Sequence, residues 1–499
     1  MFLEKTSSKE VIIFLFCLAI GIIFIVFAWN AYPVPAGDSS FFIVPAVQFA
    51  HNGVLKSPLY PSDLMIDKII DPTGARRFLF YPPLFPLLVS ALMPQATPVG
   101  AFVAIAIINI TVIWLSALLF FRVATRRGDL NWPKVFVIIL ALIALASSLA
   151  ENGRPEVLAR LWVVLLALVP FYISKKYDWI FYGILLGLMF ATHPAAGIIS
   201  MVVLGIAFGV TTKFERIILK GSTILAITYF VSLSIIALGP FSVRETIYGT
   251  YKNAIVEVHQ FEVEAQKLFK LSNLFDQYIA SPVAPFYGVV LLALIVSGAY
   301  LLWKFRKRFA SPPIVWLSVL ALTYILEKIT YSTGHVFYIT LFAPVIFSIL
   351  IYLFSEAKIF LRFGIALLFA LVATGFLRTA LLFPSFLRQE ASLNDARSYF
   401  TESTSPYKDE DVKIGVTGGL WALTEDYGKV YSYNTWPDKP KENTALVFFE
   451  QRYTGMLTPP RVEGCNLAYD KFSRELPKVF GVKLGNTMPG YGYAVYKCL

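Results

Sequence analysis

From Val11 to Trp29 the chain carries no charged residue. Wound as a helix at 1.5 Å per residue, such a stretch covers about 30 Å, the hydrocarbon thickness of a bilayer. In hydrocarbon only a helix or a closed barrel satisfies its own backbone groups, so this segment commits the start of the chain to a membrane helix. Lys5 and Lys9 are balanced by Glu4 and Glu10, and no small-residue cleavage pattern follows, so the run reads as a retained first span rather than a removed signal. Similar runs recur along the chain. With 57% hydrophobic and 15% charged residues, there is too little polar surface to cover a soluble protein of 499 residues.

By the criterion of about twenty apolar residues, the chain divides into about eleven spans. Their centres lie near Gly21, Ile110, Ala141, Leu165, Leu185, Val203, Thr228, Leu292, Val319, Val345 and Phe369. The runs around Leu185 and Val203 are short and are broken by His193-Pro194, so they read either as two spans or as one re-entrant hairpin. The net charge of +11 is gathered in short clusters between apolar runs. Those clusters, Arg122 to Lys134, Lys175 and Lys176, Lys213 to Lys220, Lys304 to Arg308, and Lys358 with Arg362, all follow even-numbered spans. This is the pattern of membrane orientation and not of nucleic-acid binding. It puts the N-terminus in the cytoplasm of a multi-pass cell (inner) membrane protein, and the longer mixed-charge loops on the extracytoplasmic face.

An odd number of spans sends the C-terminal part to that same face. We expect a polytopic α-helical membrane domain over 1–388, with a large first extracytoplasmic loop at 33–80, and a small extracytoplasmic α/β domain over 389–499. Val412 to Val416, Lys429 to Tyr433 and Ala445 to Phe449 read as strands between turn residues. Cys465 and Cys498 both fall in this part. They are either a disulfide, which an oxidising compartment allows, or two unpaired thiols.

Four places carry candidate chemistry. Asp38 sits where the chain leaves the first span, and a carboxylate so near the bilayer is costly unless it is used. The same loop holds Arg76 and Arg77 and ends in Tyr81-Pro-Pro-Leu84, a rigid elbow whose Tyr81 offers an aromatic face to a sugar. The second outer loop, Glu151-Asn-Gly-Arg154-Pro-Glu156, puts a planar guanidinium, suited to a phosphate, between two acids; its plainer reading is a self-satisfied salt bridge. Tyr331 to Tyr338 contains His335 and follows Lys328. His193, beside Pro194, reads as structural. The stretch from Phe241 to Pro285, with Arg244, reads as an amphipathic helix on the membrane surface. No GxxxxGK, GxSxG or HExxH pattern occurs, which argues against nucleotide hydrolysis as an energy source.

A first span ending in an acidic outer loop, the Tyr81 to Leu84 elbow, Arg154-Pro155-Glu156 in the second outer loop and a terminal outer domain together resemble the GT-C superfamily of integral-membrane glycosyltransferases. The likeness is to its bacterial branch, related to protein O-mannosyltransferases and lipid A aminoarabinose transferases. Members commonly have an acidic pair in the first loop, whereas here Ser39 follows Asp38. A divalent cation is thus left open as a cofactor.

The resemblance implies transfer of a sugar, with inversion, from a polyprenyl-phosphate-linked donor to an acceptor hydroxyl on an envelope glycan, lipid or protein. Asp38 would be the general base. The departing lipid phosphate needs positive charge, for which Arg154 is the first choice and Arg76, Arg77, Arg244, Lys328 and His335 the reserves. Tyr81, Glu151, Glu156 and Tyr338 would line the pocket. Two other classes stay in view. A transporter or flippase for lipid-linked saccharides would show paired halves and charges deep in its spans, neither of which is apparent here. A non-catalytic assembly subunit would tolerate loss of Asp38.

Overall fold

The computed structural model describes residues 7–35, 39–57, 59, 77–79, 81–126, 128–149, 153–211, 214–250, 252, 341–356, 358–387, 393–424, 427–433, 440, 442–451, 458–473, 478–479, 482–483 and 490–498. Asp38, Arg76, Glu151, Lys328, His335, Tyr338 and the spans expected near Leu292 and Val319 lie outside them.

The first helix, α1 (Ser8–Trp29), starts on a capping box in which Ser7 Oγ accepts from the Glu10 amide at 3.4 Å and Glu10 Oε2 accepts from the Ser7 amide at 3.1 Å. Next come α2 (Ser40–Asn52), α3 (Leu84–Leu92), α4 (Pro98–Thr125), α5 (Trp132–Leu149), α6 (Glu156–Tyr172), α7 (Asp178–Phe190), α8 (Pro194–Thr211), α9 (Phe214–Leu238) and a short α10 over 243–250. The described helices end with α11 (Ala343–Glu356), α12 (Ile359–Leu387) and α13 (Leu393–Thr404). Among the described residues, four helical segments are long and apolar enough to cross a membrane: Ser8–Trp29, Pro98–Thr125, Leu219–Leu238 and Ile359–Leu387.

The outward side chains match hydrocarbon rather than water. Val11, Phe14, Leu15, Leu18, Ile22, Val26 and Trp29 form an exposed apolar stripe at helical spacing along α1. Phe360 and Phe363 stand outward on α12, the first of them 89% exposed, while Asn109 and Ser116 are buried inside. In α7 a Cβ on Gly183 or Gly187 would come within 2.7 Å of Ile227 or Val231 on α9, so small residues four apart let the two backbones close. The Leu185 and Val203 runs are two separate helices, α7 and α8, joined by Ala191 to His193.

Contacts fix two ends of the bundle. At one, Lys9 Nζ donates to the Leu130 carbonyl at 2.7 Å, and Arg122 Nε donates to the Tyr172 hydroxyl at 2.7 Å. There Lys134 Nζ, buried, donates to the Ala124 and Asp129 carbonyls and so caps the last turn of α4. At the other end, the Tyr32 hydroxyl donates to the Thr379 carbonyl at 2.8 Å, and its ring packs on Phe383 and Phe386 of α12.

The C-terminal sheet also meets the bundle at this second end. Its strands are β1 (Lys413–Thr417), β2 (Val430–Tyr433), β3 (Thr444–Glu450), β4 (Asn466–Asp470) and β7 (Tyr493–Lys497), in the order β2-β1-β3-β7-β4, with a separate ribbon of β5 (Lys478–Val479) and β6 (Val482–Lys483). β1 runs parallel to β2 and β3, and β7 runs antiparallel to β3 and β4. Every residue of β3 is buried, as a central strand covered on both faces must be. Phe400 of α13 packs on Phe448 on one face, and Phe472 packs on Phe449 on the other. Cys465 and Cys498 are joined as a disulfide.

Candidate active site

The second outer loop turns inward because its residues leave it little choice. Gly153 has φ +101, Arg154 is kept out of the helical region by the proline after it, and Pro155 at φ −62 is preset to open α6. Gly153 also admits no side chain, since a Cβ there would lie 2.5 Å from Ser39 Cβ and 2.6 Å from Ile43 Cδ1. The loop is therefore pressed onto the start of α2, at the residue that follows Asp38 in the chain.

Glu156, the first residue of α6, is buried, with its side chain 7% exposed. A carboxylate withdrawn from water needs a cation, and Arg154 supplies one: Nη2 lies 3.0 Å and Nε 3.2 Å from Glu156 Oε1. One helical turn on, Arg160 is also buried. Arg154 and Arg160 thus flank the buried Glu156 at the start of α6.

His193 completes the group. Its Nδ1 accepts from the Ala196 amide at 3.3 Å, capping α8, which leaves Nε2 to carry the proton, 3.8 Å from Glu156 Oε1. The corner holding His193 is fixed twice: Trp162 Nε1 donates to Thr192 Oγ1 at 3.0 Å, and the Leu84 amide donates to the Ala191 carbonyl at 3.2 Å. The second bond brings the proline elbow alongside. Tyr81 meets His193 edge to face, with ring centroids 5.7 Å apart, and packs on Phe42 of α2 at 5.5 Å. The aromatic wall continues through Phe42 to Phe78 and Phe85.

Arg77 lies beside this wall. Its Nη1 is 2.6 Å from Glu245 Oε1, and its guanidinium lies 5.7 Å from the Phe241 ring centre. Glu245 is held in turn by the Ser242 hydroxyl at 2.8 Å and amide at 3.1 Å, a capping box at the start of α10. The hydrogen bond from Arg77, then those from Ser242, pull the Glu245 carboxyl down to about 2.

Of the sequence candidates, the fold thus gathers Tyr81, Arg154 and Glu156 around His193, and pairs Arg77 with Glu245. Arg244 is exposed on α10. Arg154 and Glu156 do form the salt bridge of the plainer sequence reading, with the carboxylate buried and the guanidinium 19% exposed. The structural reading of His193 covers its Nδ1 and omits its Nε2. Sequence reasoning placed Glu245 in the amphipathic stretch from Phe241 without giving it a partner, although Ser242-Val-Arg-Glu245 is a visible capping-box pattern. Among the described residues, no three of His, Cys, Asp and Glu come together as a metal-binding group.

No family model matches this sequence, and no curated protein matches it. Among solved structures, the chain is similar to ArnT from Cupriavidus metallidurans bound to undecaprenyl phosphate, at 10% identity and TM-score 0.48, covering 99% of each chain. A second is the archaeal oligosaccharyltransferase AglB from Archaeoglobus fulgidus in complex with an inhibitory peptide and a dolichol-phosphate. It is 13% identical, with a TM-score of 0.47, over 87% of this chain and 69% of that one.

Proposed function

We propose that the protein is a membrane glycosyltransferase that moves a sugar from a polyprenyl-phosphate-linked donor to an acceptor hydroxyl on the extracytoplasmic face of the inner membrane, with inversion. The observation that carries this reading is the packing of Gly153 onto Ser39. It presses the loop that carries Arg154 and Glu156 onto the start of α2, the helix on which Tyr81 packs through Phe42.

In the step proposed, the acceptor oxygen attacks the anomeric carbon as the Asp38 carboxylate takes its proton. The bond from that carbon to the phosphate oxygen breaks, and its electron pair leaves with the phosphate. The leaving group is already an anion, so it calls for fixed positive charge rather than an acid. Arg154, oriented by its bonds to Glu156, supplies that charge; Arg160 adds to it, and Arg77 stands in reserve. Tyr81 offers its ring to the sugar. A lipid tail dissolved in the bilayer explains why the site is built at the end of an apolar bundle.

About eleven spans put the N-terminus in the cytoplasm and the sheet outside. Two observations support this orientation. The cationic residues Lys9, Arg122 and Lys134 make their contacts at the end opposite the sheet, and the Cys465 to Cys498 bridge suits an oxidising compartment.

Asp38→Asn is expected to leave insertion and folding intact and to abolish transfer, with the polyprenyl-linked sugar accumulating and one residue missing from the envelope glycans by mass spectrometry. Full transfer by this variant removes Asp38 from the mechanism.

A further inference from the structure

The C-terminal sheet grips the first outer loop at three points. The hydroxyl of Tyr491, a fully buried residue, donates to the Ala31 carbonyl at 2.9 Å. Ala31 has φ +50, a left-handed conformation that a residue with a Cβ seldom adopts unless its surroundings impose it. The second point is the 3-10 turn Gly418–Leu423, which follows β1. Gly419 there lies so close to the loop that a Cβ would run into the Pro35 carbonyl oxygen and come within 2.9 Å of Val34 Cγ1. The third is β2, whose Ser432 amide donates to the Leu59 carbonyl at 3.3 Å.

The second point has a built support. Glu450, at the end of β3, is 3% exposed. Its Oε2 accepts from the Gly419 amide at 2.8 Å, and its own amide donates to Thr417 Oγ1 at 2.7 Å. A buried carboxylate bonded to a backbone amide makes a strong and directional tie. Trp421, fully buried, continues the turn onto Phe102 of α4, with ring centroids 5.9 Å apart. The turn is thus locked from the sheet side and presses on the loop from the other. Residues 31, 35 and 59 bracket Asp38 in the chain, and Tyr491, Gly419 and Ser432, which reach them, all belong to the C-terminal domain, alongside the bundle's own ties to Ala31 and Tyr32.

We infer that the C-terminal domain is a positioning device for the first outer loop: Tyr491, through the Ala31 carbonyl, and Glu450, through the Gly419 amide that abuts Pro35, hold the segment from which the chain runs into Asp38. This rests on the reading of Asp38 as the base. Neither residue touches the reacting atoms in that reading, so each acts through the loop. A domain that looks separate in the sequence thereby sets the geometry of catalysis.

The test uses the full-length protein in lipid nanodiscs, with Tyr491→Phe, which removes one hydroxyl, and Glu450→Ala. Amide hydrogen exchange in peptides covering 27–47 is expected to rise about fivefold in each variant, the size of one lost hydrogen bond, while exchange in β3 and β7 stays as in the parent. Glu450→Gln keeps an oxygen able to accept from the Gly419 amide and is expected to exchange at close to the parent rate. With transfer as the readout, kcat falls and KM for the polyprenyl-phosphate sugar is unchanged. Unaltered exchange at 27–47 in both Y491F and E450A overturns the inference, whatever the protein's reaction. Raised exchange with unaltered kcat, in a protein that Asp38→Asn inactivates, overturns it as well. If Asp38→Asn retains full transfer while exchange still rises, the reading of Asp38 fails and the grip on the loop stands.

Discussion

Gly153→Ala tests how the site is assembled, and its cost can be worked from two separate terms. The first is conformational: φ +101 lies where only glycine sits at ease, and forcing another residue there costs of order 1 to 3 kcal/mol. The second is steric, because the new methyl would lie 2.5 Å from Ser39 Cβ and 2.6 Å from Ile43 Cδ1. Ordinary contact requires a retreat of roughly 1 Å, and overpacking of this kind costs about 1 to 3 kcal/mol where a packed interior resists it. Neither neighbour yields easily. Ile43 is fully buried, and Ser39, also fully buried, is the first described residue after Asp38.

The loop must therefore lift off α2, which moves Arg154 relative to the Asp38 segment. A displacement of about 1 Å between reacting groups is enough for a loss of order a hundredfold in rate. The assay is thermal unfolding and sugar transfer by the purified variant in nanodiscs, with Gly128→Ala beside it. Gly128 has φ +108 but nothing within 4 Å of a built Cβ, so it bears the conformational term alone. We expect both variants to be destabilised, G153A more than G128A, and only G153A to lose transfer. Equal stability and equal activity in the two variants would refute the close approach of the Arg154 loop to α2.

Two further outcomes follow from charge and covalent linkage. Because Arg77 and Ser242 hold the Glu245 carboxyl at about 2, below its ordinary value near 4.5, its tie to Arg77 stabilises the α10 start above pH 4.5 and is lost as the pH falls from there through about 2. Amide exchange over 243–250, corrected for intrinsic rates, should accelerate across that window, and Glu245→Gln should abolish the dependence. The Cys465 to Cys498 bridge closes a loop with a sequence separation of 33, for which chain entropy predicts about 3 to 4 kcal/mol. Cys465→Ser together with Cys498→Ser should lower the melting temperature of the sheet and leave helical content unchanged, and an unshifted melt would show that the bridge contributes nothing.

What could be read in the chain divides along the range of the forces involved. The first apolar helix and the three strands at 413, 430 and 444 follow from local hydropathy and turn signals, and the fold contains them. The helix at Ser40–Asn52 was invisible to a criterion of about twenty apolar residues, since its apolar run is shorter and contains Pro45. Within the site, Arg154, Glu156 and Tyr81 stand out in the sequence because a cation, an acid or an aromatic beside proline is unusual at the mouth of a bundle. His193 does not, because its role depends on two contacts that no local pattern encodes: the bond from Trp162 to Thr192 and the bond from Leu84 to Ala191. Nor do Tyr491 and Glu450, whose partners lie hundreds of residues upstream or across a sheet.

The hydrogen bond from Tyr491 to Ala31 joins residues 460 apart. Ribosomes add about 5 to 20 residues per second, so the first outer loop emerges roughly 20 to 90 seconds before its last fastener exists. Every nascent molecule passes that interval with its first outer loop lacking this tie. A nonsense codon or a stalled ribosome just before Tyr491 would leave a chain that still carries Gly419 and Ser432 but lacks the tie to Ala31.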